Sequence, residues 1–378
     1  MLRKQMNLGT GQLVSFASVR ERVRLDDAGK WDETVPRHEL RMRDGELVLP
    51  SSGQERHLQL SPLANGQFAA RLGIPAAYWR ILPPVLKDQN ANYWLQAGNQ
   101  RQDDSEPDEQ GTPNTARRGA TKPEKWLLRS RFGTVRAVLS EHYSPLDNGT
   151  LCETLAPLLE ARHRVSWFGL EDEGFHLHIL DPDRVRAVLP GDDYFCGVYI
   201  GNSETGTRSV CCEAYLMRLI CSNGLVAMLE GQSLLRRRHI HIESERFGHL
   251  LTEAVQTALE TADGFIETLR RATTQIVPDP GLALERLSER WSLSETTQSV
   301  AHAALQRESP KVQETCYGLV QGLTEAAQIL PDAARHDLEV LAGNLAQNGV
   351  PKWALSPAEM PDWDTSKLRH RNALEVAA

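Results

Sequence analysis

The sequence predicts an α+β protein with a mainly antiparallel central sheet, an N-terminal β/helical segment and a C-terminal helical region. Three observations predict it. Between 126 and 243, short alternating stretches are joined by tight, glycine-bearing turns, and short connections favour antiparallel pairing. From Phe247 to Leu269 an apolar stripe recurs at helical spacing. A regular alternation of strands with helices, the mark of a doubly wound parallel sheet, is missing.

From the start, residues up to about Pro50 read as strands. Glu39 to Arg43 and Glu46 to Pro50 flank Asp44-Gly45, a strong hairpin signal because both turn residues tolerate positive φ. His57 to Leu60 alternates and adds a strand. Ser61-Pro62 opens a helix, with serine as cap and proline at the first helical position; Gly73 ends it. A second helix covers Ala76 to Leu82 and stops at Pro83-Pro84. A third runs from Val85 to about Leu95. Residues 1–97 thus form one N-terminal unit.

Residues 98–125 change character. From Gln100 to Gln110 there is no apolar residue, so this stretch cannot bury enough surface to offset its ordering entropy. It reads as an acidic, polar linker. An acidic interaction tail is the sharper alternative.

The unit 126–243 follows. Trp126 to Arg131, Val135 to Ser140, Val165 to Leu170, Phe175 to Leu180, Tyr194 to Ile200 and Arg208 to Cys212 read as strands. Leu151 to Glu160 reads as a helix that Pro157 must kink or split. Residues 244–349 are helical. Ser244 is placed to cap the first helix, and Pro278 and Pro280 follow it. Further helices span Leu282 to Trp291, Ser294 to Gln306, Val312 to Leu330 and Asp332 to Gln347; Pro331 separates the last two into a hairpin. Residues 350–378 read as a loose tail.

Composition narrows the function. The 378 residues carry a net charge of −8, with pI near 5.9 and mean hydropathy −0.41. That disfavours a generic polyanion-coating protein, yet leaves room for a local basic groove. No apolar run approaches the roughly 20 residues of a membrane-spanning helix. The N-terminus has no apolar stretch behind its basic start, so a secretory leader is not expected and the cytoplasm is. Six cysteines (Cys152, Cys196, Cys211, Cys212, Cys221, Cys316) include no C-x-x-C pair, which disfavours zinc. Buried, reduced thiols are expected. Lysine is absent between Lys125 and Lys311. A GC-rich genome favouring arginine codons is the preferred explanation, with phosphate recognition as the functional alternative.

Each candidate chemistry has a bland counterpart. Gly201 to Gly206 lacks the lysine and spacing of a phosphate loop and reads as a turn; Gly9-Thr10-Gly11 fails similarly. His176-x-His178 and His239-x-His241 put two imidazoles on one strand face each, with Glu243 or Glu245 as a further ligand; exposed strand positions give the same pattern without metal. Ser140, His142 and Asp147 are near one another in sequence, which a triad does not require. Cys221-Ser222-Asn223-Gly224 reads as a tight turn rather than an exposed thiolate. Asp192-Asp193 reads as an acidic turn. No catalytic residue, metal or cofactor is assigned.

The most suggestive cluster is basic. Arg236, Arg237 and Arg238 precede the long helix, and Arg136, Arg208 and Arg218 lie near the central sheet. Tyr194, Phe195, Tyr199 and Tyr215 are interleaved. Arginine on phosphate and aromatics on bases are the parts of a single-strand binding groove; a buried aromatic core with a solvated arginine edge is the alternative.

The string Arg136-Ala137-Val138-Leu139-Ser140-x-x-Tyr143-x-Pro145-Leu146-Asp147-Asn148 resembles the signature of a phage- and plasmid-encoded family that carries a domain of unknown function. So do Asn202-Ser203-Glu204-x-Gly206 and Arg218-Leu219-Ile220-Cys221-Ser222-Asn223-Gly224. Phe68 to Tyr78, Asn92-x-Trp94-Leu95 and Tyr317 to Ala327 also match. The resemblance implies a mobile-element origin and no established activity. Nucleic-acid binding, with single-stranded DNA favoured and a homo-oligomer as the assembly, is the leading expectation. A protein-binding or counter-defence factor and an unrecognised metal-dependent enzyme are the alternatives.

Overall fold

The computed structural model describes residues 13–50, 55–100, 124–159, 161–219, 224–227 and 234–355. The calls on Gly9-Thr10-Gly11, Cys221, Asn223 and most of the linker lie outside these residues, as does the tail from 356.

The chain begins with β1 (Val14–Ser15) and α1 (Phe16–Asp26). This helix departs from the strand expectation. Ser15 caps it by accepting from the Ser18 N–H, and Phe16, Val19 and Val23 bury one face at helical spacing. Four strands follow: β2 (Lys30–Pro36), β3 (Arg41–Arg43), β4 (Glu46–Leu49) and β5 (Arg56–Leu60). The Asp44-Gly45 turn has φ of 55° and 79°, as its residues predict. In α2 (Pro62–Arg71) Ser61 accepts from the Ala64 N–H, and Gly73 turns the chain at φ 73°. Next come α3 (Ala76–Ile81) and α4 (Pro84–Gln100), the latter starting on the proline that stops its predecessor.

After the linker come β6 (Lys125–Arg131), β7 (Thr134–Ser140) and α5 (Asn148–Leu155). Pro157 splits the last, leaving a single 3-10 turn behind it. Then come β8 (Arg164–Leu170), β9 (Phe175–Leu189), β10 (Asp192–Asn202), β11 (Val210–Arg218), β12 (Gly224–Ala227) and β13 (Leu235–Arg237). The helical region holds α6 (Ser244–Ala272), α7 (Pro280–Arg290), α8 (Glu295–Arg307), α9 (Pro310–Gln313), α10 (Cys316–Ala327), α11 (Asp332–Asn348) and α12 (Lys352–Leu355). Glu243, not Ser244, occupies the cap position of α6, without a side-chain cap bond.

The strands form two sheets. The larger runs β1-β8-β9-β10-β11-β12, with β13 also on β11, and every pair is antiparallel. The smaller runs β2-β6-β7-β5-β4-β3, and only β5–β7 is parallel among its pairs. The strands β6 and β7, expected in the sheet that follows them, therefore belong with the N-terminal strands. Pattern alone identifies a strand but not its partner, and β2 reaches β6 across the whole helical cluster and linker.

Each sheet has its own core. Phe68 and Trp79 from the small helices meet Trp126, with Phe68 edge-on to Trp126 at 5.7 Å. On the larger sheet, Leu177, Ile179, Val198, Ile200, Cys212, Ala214 and Leu216 face Leu251, Val255, Ala258 and Ala262 of α6. Alternate residues of the same strands point to the opposite face. The five described cysteines are buried and unbridged, and burial pushes the thiols of Cys152, Cys196 and Cys316 up to about 12.

Candidate nucleic-acid interface

The six arginines do not converge. Arg218 ends β11 at 7% exposure. Its Nε and one terminal nitrogen donate to the two Asp192 oxygens at 2.6 and 2.9 Å, and it also pairs with Glu308. The ring of Tyr317 lies 5.8 Å from its guanidinium, and Tyr317 Oη donates to the same Asp192 at 2.6 Å. Arg136 is 5% exposed and donates to Asp172 at 2.7 Å and Glu204 at 2.9 Å. A guanidinium this deep is tolerable only when paired and hydrogen-bonded. Both arginines are structural, and neither reaches solvent as a phosphate contact would.

The first two motifs of the resemblance meet in one hydrogen-bonded node. Glu204, 2% exposed, accepts from Arg136 of β7, from Lys30 Nζ at 3.0 Å and from the Asn148 N–H at 2.9 Å. Arg129 donates to the Glu204 carbonyl at 2.8 Å and pairs with Asp147. Tyr143 Oη donates to the Ser203 carbonyl at 2.9 Å. Asn202 Nδ2 donates to Asn148 Oδ1 and to the Leu146 carbonyl, both at 2.9 Å. Gly206 supplies φ 79° to the turn. Burial pushes the Glu204 pKa up, but Lys30, Arg136 and the Asn148 N–H outweigh it and bring it down to about 2. The node thus bolts the turn after β10 onto the smaller sheet. In the third motif, a Cβ added at Gly224 would stand 1.9 Å from Tyr215 Oη.

The aromatics also take their bland role. Tyr194, Tyr199 and Tyr215 are at most 1% exposed and offer no face to a base.

Four arginines remain. Arg236, Arg237 and Arg238 are exposed, on and just after β13, which pairs only with β11 among the described strands. None of the three pairs with a carboxylate of the described residues. Arg208 is half-buried and donates to Tyr199 Oη at 3.2 Å. It lies at the same end of the sheet: burial holds the His336 pKa well below its usual value, and the charges of Arg208 and Arg236 add to that.

Beneath them lies a layer that sequence reasoning missed. His176 and His178 do share one strand face, but α11 covers it, and both are at most 2% exposed. His176 Nδ1 is 2.8 Å from Tyr199 Oη. The His336 ring stacks on Tyr199 at 4.0 Å, with its Nε2 3.4 Å from Glu213. His178 Nε2 is 3.7 Å from Glu339, and Arg335 donates to Glu339 at 3.0 Å. Arg335-His336-x-x-Glu339, at helical spacing opposite a polar strand face, was the available signal. No group of three or more His, Cys, Asp or Glu among the described residues is placed to hold a metal ion. His239 and His241 do not face one way: His239 is buried and stacked on Tyr143 at 5.0 Å, and His241 is exposed. Ser140 Oγ accepts from the His142 backbone N–H, and Asp147 is bound to Arg129, so no triad forms.

Residues 135–330 match the family model described as "Domain of unknown function (DUF932)". The chain belongs to this family. No curated protein and no solved structure matches it. The DUF932 region runs from β7 to just before α11. It contains Arg136, Tyr143, Asn148 and Glu204 of the node, the Arg218 cage and the exposed arginines, while β2 and β6, which supply Lys30 and Arg129 to the node, and α11 lie outside it. No helix of the described residues is long and apolar enough to cross a membrane.

Proposed function

We propose that this DUF932 protein binds nucleic acid through phosphate contacts from Arg208, Arg236, Arg237 and Arg238. One observation carries the reading. Arg136 and Arg218 are neutralised by carboxylates, whereas Arg236, Arg237 and Arg238 stand exposed and unpaired among the described residues on one sheet edge. Guanidinium groups grip phosphate oxygens bidentately. The net charge of −8 opposes approach only weakly, because charges beyond about 10 Å are screened at 0.1 M salt. With the interleaved tyrosines buried, the contact is to the backbone rather than to bases. The preference for single-stranded DNA therefore finds no support in Tyr194, Tyr199 or Tyr215. A backbone contact suits a role in copying or recombining a mobile element, the setting that the motifs imply.

The test is fluorescence anisotropy of labelled single- and double-stranded oligonucleotides at two ionic strengths. Affinity should fall with salt with a slope of about −0.9 per phosphate contacted on duplex. Replacing Arg236, Arg237 and Arg238 together by alanine should remove most of the binding without changing the melting temperature. Absence of binding in low salt overturns the reading.

A further inference from the structure

The face of the larger sheet that α11 covers carries a row of rings. The strand register sets His178 and Glu213 beside Tyr199, and Tyr215 beside Gly197, two residues back on the same side. Trp167 meets His178 at 4.9 Å, and His178 meets Tyr215 at 4.1 Å. Two arginines flank the row. Arg208 donates to Tyr199 Oη. Arg236 is set beside Cys211, which shares its side of β11 with Glu213 and Tyr215. Rings for stacking, with guanidinium groups beside them, are the parts of a single-strand binding surface.

Side chains of α11 take the places that a strand would take. The His336 ring stacks on Tyr199 at 4.0 Å and 16°, as a base does on an aromatic ring. Burial pushes the Asp337 carboxyl up, and the charges of Arg208 and Arg236 pull it back, as they would act on a phosphate. The fit is incomplete. Both ring nitrogens of His178, His336 Nδ1 and Glu339 Oε2 are buried without a hydrogen bond among the described residues, and such atoms weaken a contact. Pro331 and Gly349, the latter at φ 77°, bound the helix, while Leu338 and Ala342 hold it in the apolar core. The face lies within the DUF932 match and its cover outside it. We propose that the face under α11 is a binding site for single-stranded nucleic acid, which α11 occupies until a strand displaces it. This rests on the proposed function and names the strand form that Arg208 and Arg236 serve. In the closed fold the arginines reach the backbone alone. With α11 displaced, Tyr199 and Tyr215 are open to unpaired bases.

Hydrogen exchange of the nuclease-treated full chain, with and without an oligothymidylate, tests it. Saturating oligonucleotide should speed exchange along α11 by at least about ten-fold and leave α6 unchanged. Slower or unchanged exchange along α11 in the complex overturns the proposal. Leu338→Ala loosens the cover without altering its charge. Apparent affinity scales with the open fraction, so single-strand binding measured well below the melting transition should tighten by about ten-fold. Duplex affinity should not move, because paired bases cannot stack on the rings. An equal gain for both strand forms overturns the proposal, as does no gain for single strands. If the variant fails to fold, the wild-type exchange result decides. A strand that binds while α11 stays protected removes this inference and leaves the proposed function. No binding of either strand form, by wild type or variant, removes both.

Discussion

Glu204 and Arg136 form a buried ion pair at 2.9 Å that joins the turn after β10 to the smaller sheet. Their side chains are 1% and 6% exposed. They are 68 residues apart in sequence, and each lies in a different motif. Lys30 completes the cluster at 2.8 Å. These two stretches thus fasten one sheet to the other, while the arginines on the sheet edge that are unpaired among the described residues lie outside them.

Glu204→Ala should be destabilising, by about 1.5–3 kcal/mol, because it removes the buried carboxylate shared by Arg136 and Lys30, which keep Asp172 and the Asp26–Asp27 pair. A urea melt at pH 7 measures this. The pH dependence has a definite sign. Glu204 has a lowered folded pKa of about 2, so its stabilisation is complete above the unfolded value near 4.5 and is lost as pH falls toward 2. A Glu204→Gln variant should therefore lose stability at pH 7 and show a flatter acid limb than wild type between about pH 5 and 2. An unchanged acid limb would separate the node from acid stability.

Tyr317→Phe tests the Arg218 cage. The hydroxyl donates to Asp192 and sits 2.7 Å from Tyr194 Oη, which also accepts from Gln321 at 2.8 Å. Removing it leaves two buried partners short of a hydrogen bond, at a cost of about 1–3 kcal/mol. Thermal unfolding should register this. Oligonucleotide affinity measured well below the transition should not move, because the cage has no exposed cation. A selective loss of binding would return Arg218 to the interface.

The helices, hairpins and proline breaks could be read from sequence because their causes are local: a Ser61 cap, an Asp44-Gly45 turn, a stripe along α6. Strand partners could not. The strands β6 and β7 look alike whether they pair with β2 or with β8, and only long-range burial of Trp126 against Phe68 decides it. The site failed for a related reason. Arg136, Arg218 and Arg236 are one residue type, and what distinguishes them is a carboxylate 68, 26 or 90 residues away, or the lack of one among the described residues. The layer under α11 stayed hidden because His176 and His178 alternate as solvent-facing residues would. The polar surface that covers them comes from a helix more than 150 residues later.

Gly224→Ala should disrupt the β11–β12 pairing. The added methyl would lie 1.9 Å from Tyr215 Oη and 2.4 Å from Cζ, so the fully buried ring must move. Overpacking of this kind costs about 1–3 kcal/mol. Tyr215→Phe cannot rescue it, because Cζ remains in the way, whereas Tyr215→Leu in the same chain should recover part of the loss. A double-mutant cycle by chemical denaturation checks the coupling. Additive effects would mean that the glycine serves some other purpose.

Glu339 gives a pH dependence of opposite sign to that of Glu204. Burial raises its pKa to about 7 despite the Arg335 guanidinium, so the folded protein favours the protonated carboxyl. The contribution is fully present below the unfolded value near 4.5 and is lost as pH rises through 7. The size of that shift corresponds to about 3 kcal/mol. Burial also holds His178 well below its usual pKa, with Arg335 adding to this. That histidine withdraws stability as pH falls below about 6.5, opposing Glu339 across the acid side. The two effects separate above neutrality, where only the carboxyl still titrates. Glu339→Gln should therefore be most stabilising, relative to wild type, at pH 8–9 and lose that advantage toward pH 5. Hydrogen exchange along α11 at both pH values should show the helix better protected in the variant only at the higher one. Equal protection at both would mean that Glu339 remains ionised in the fold, held by Arg335.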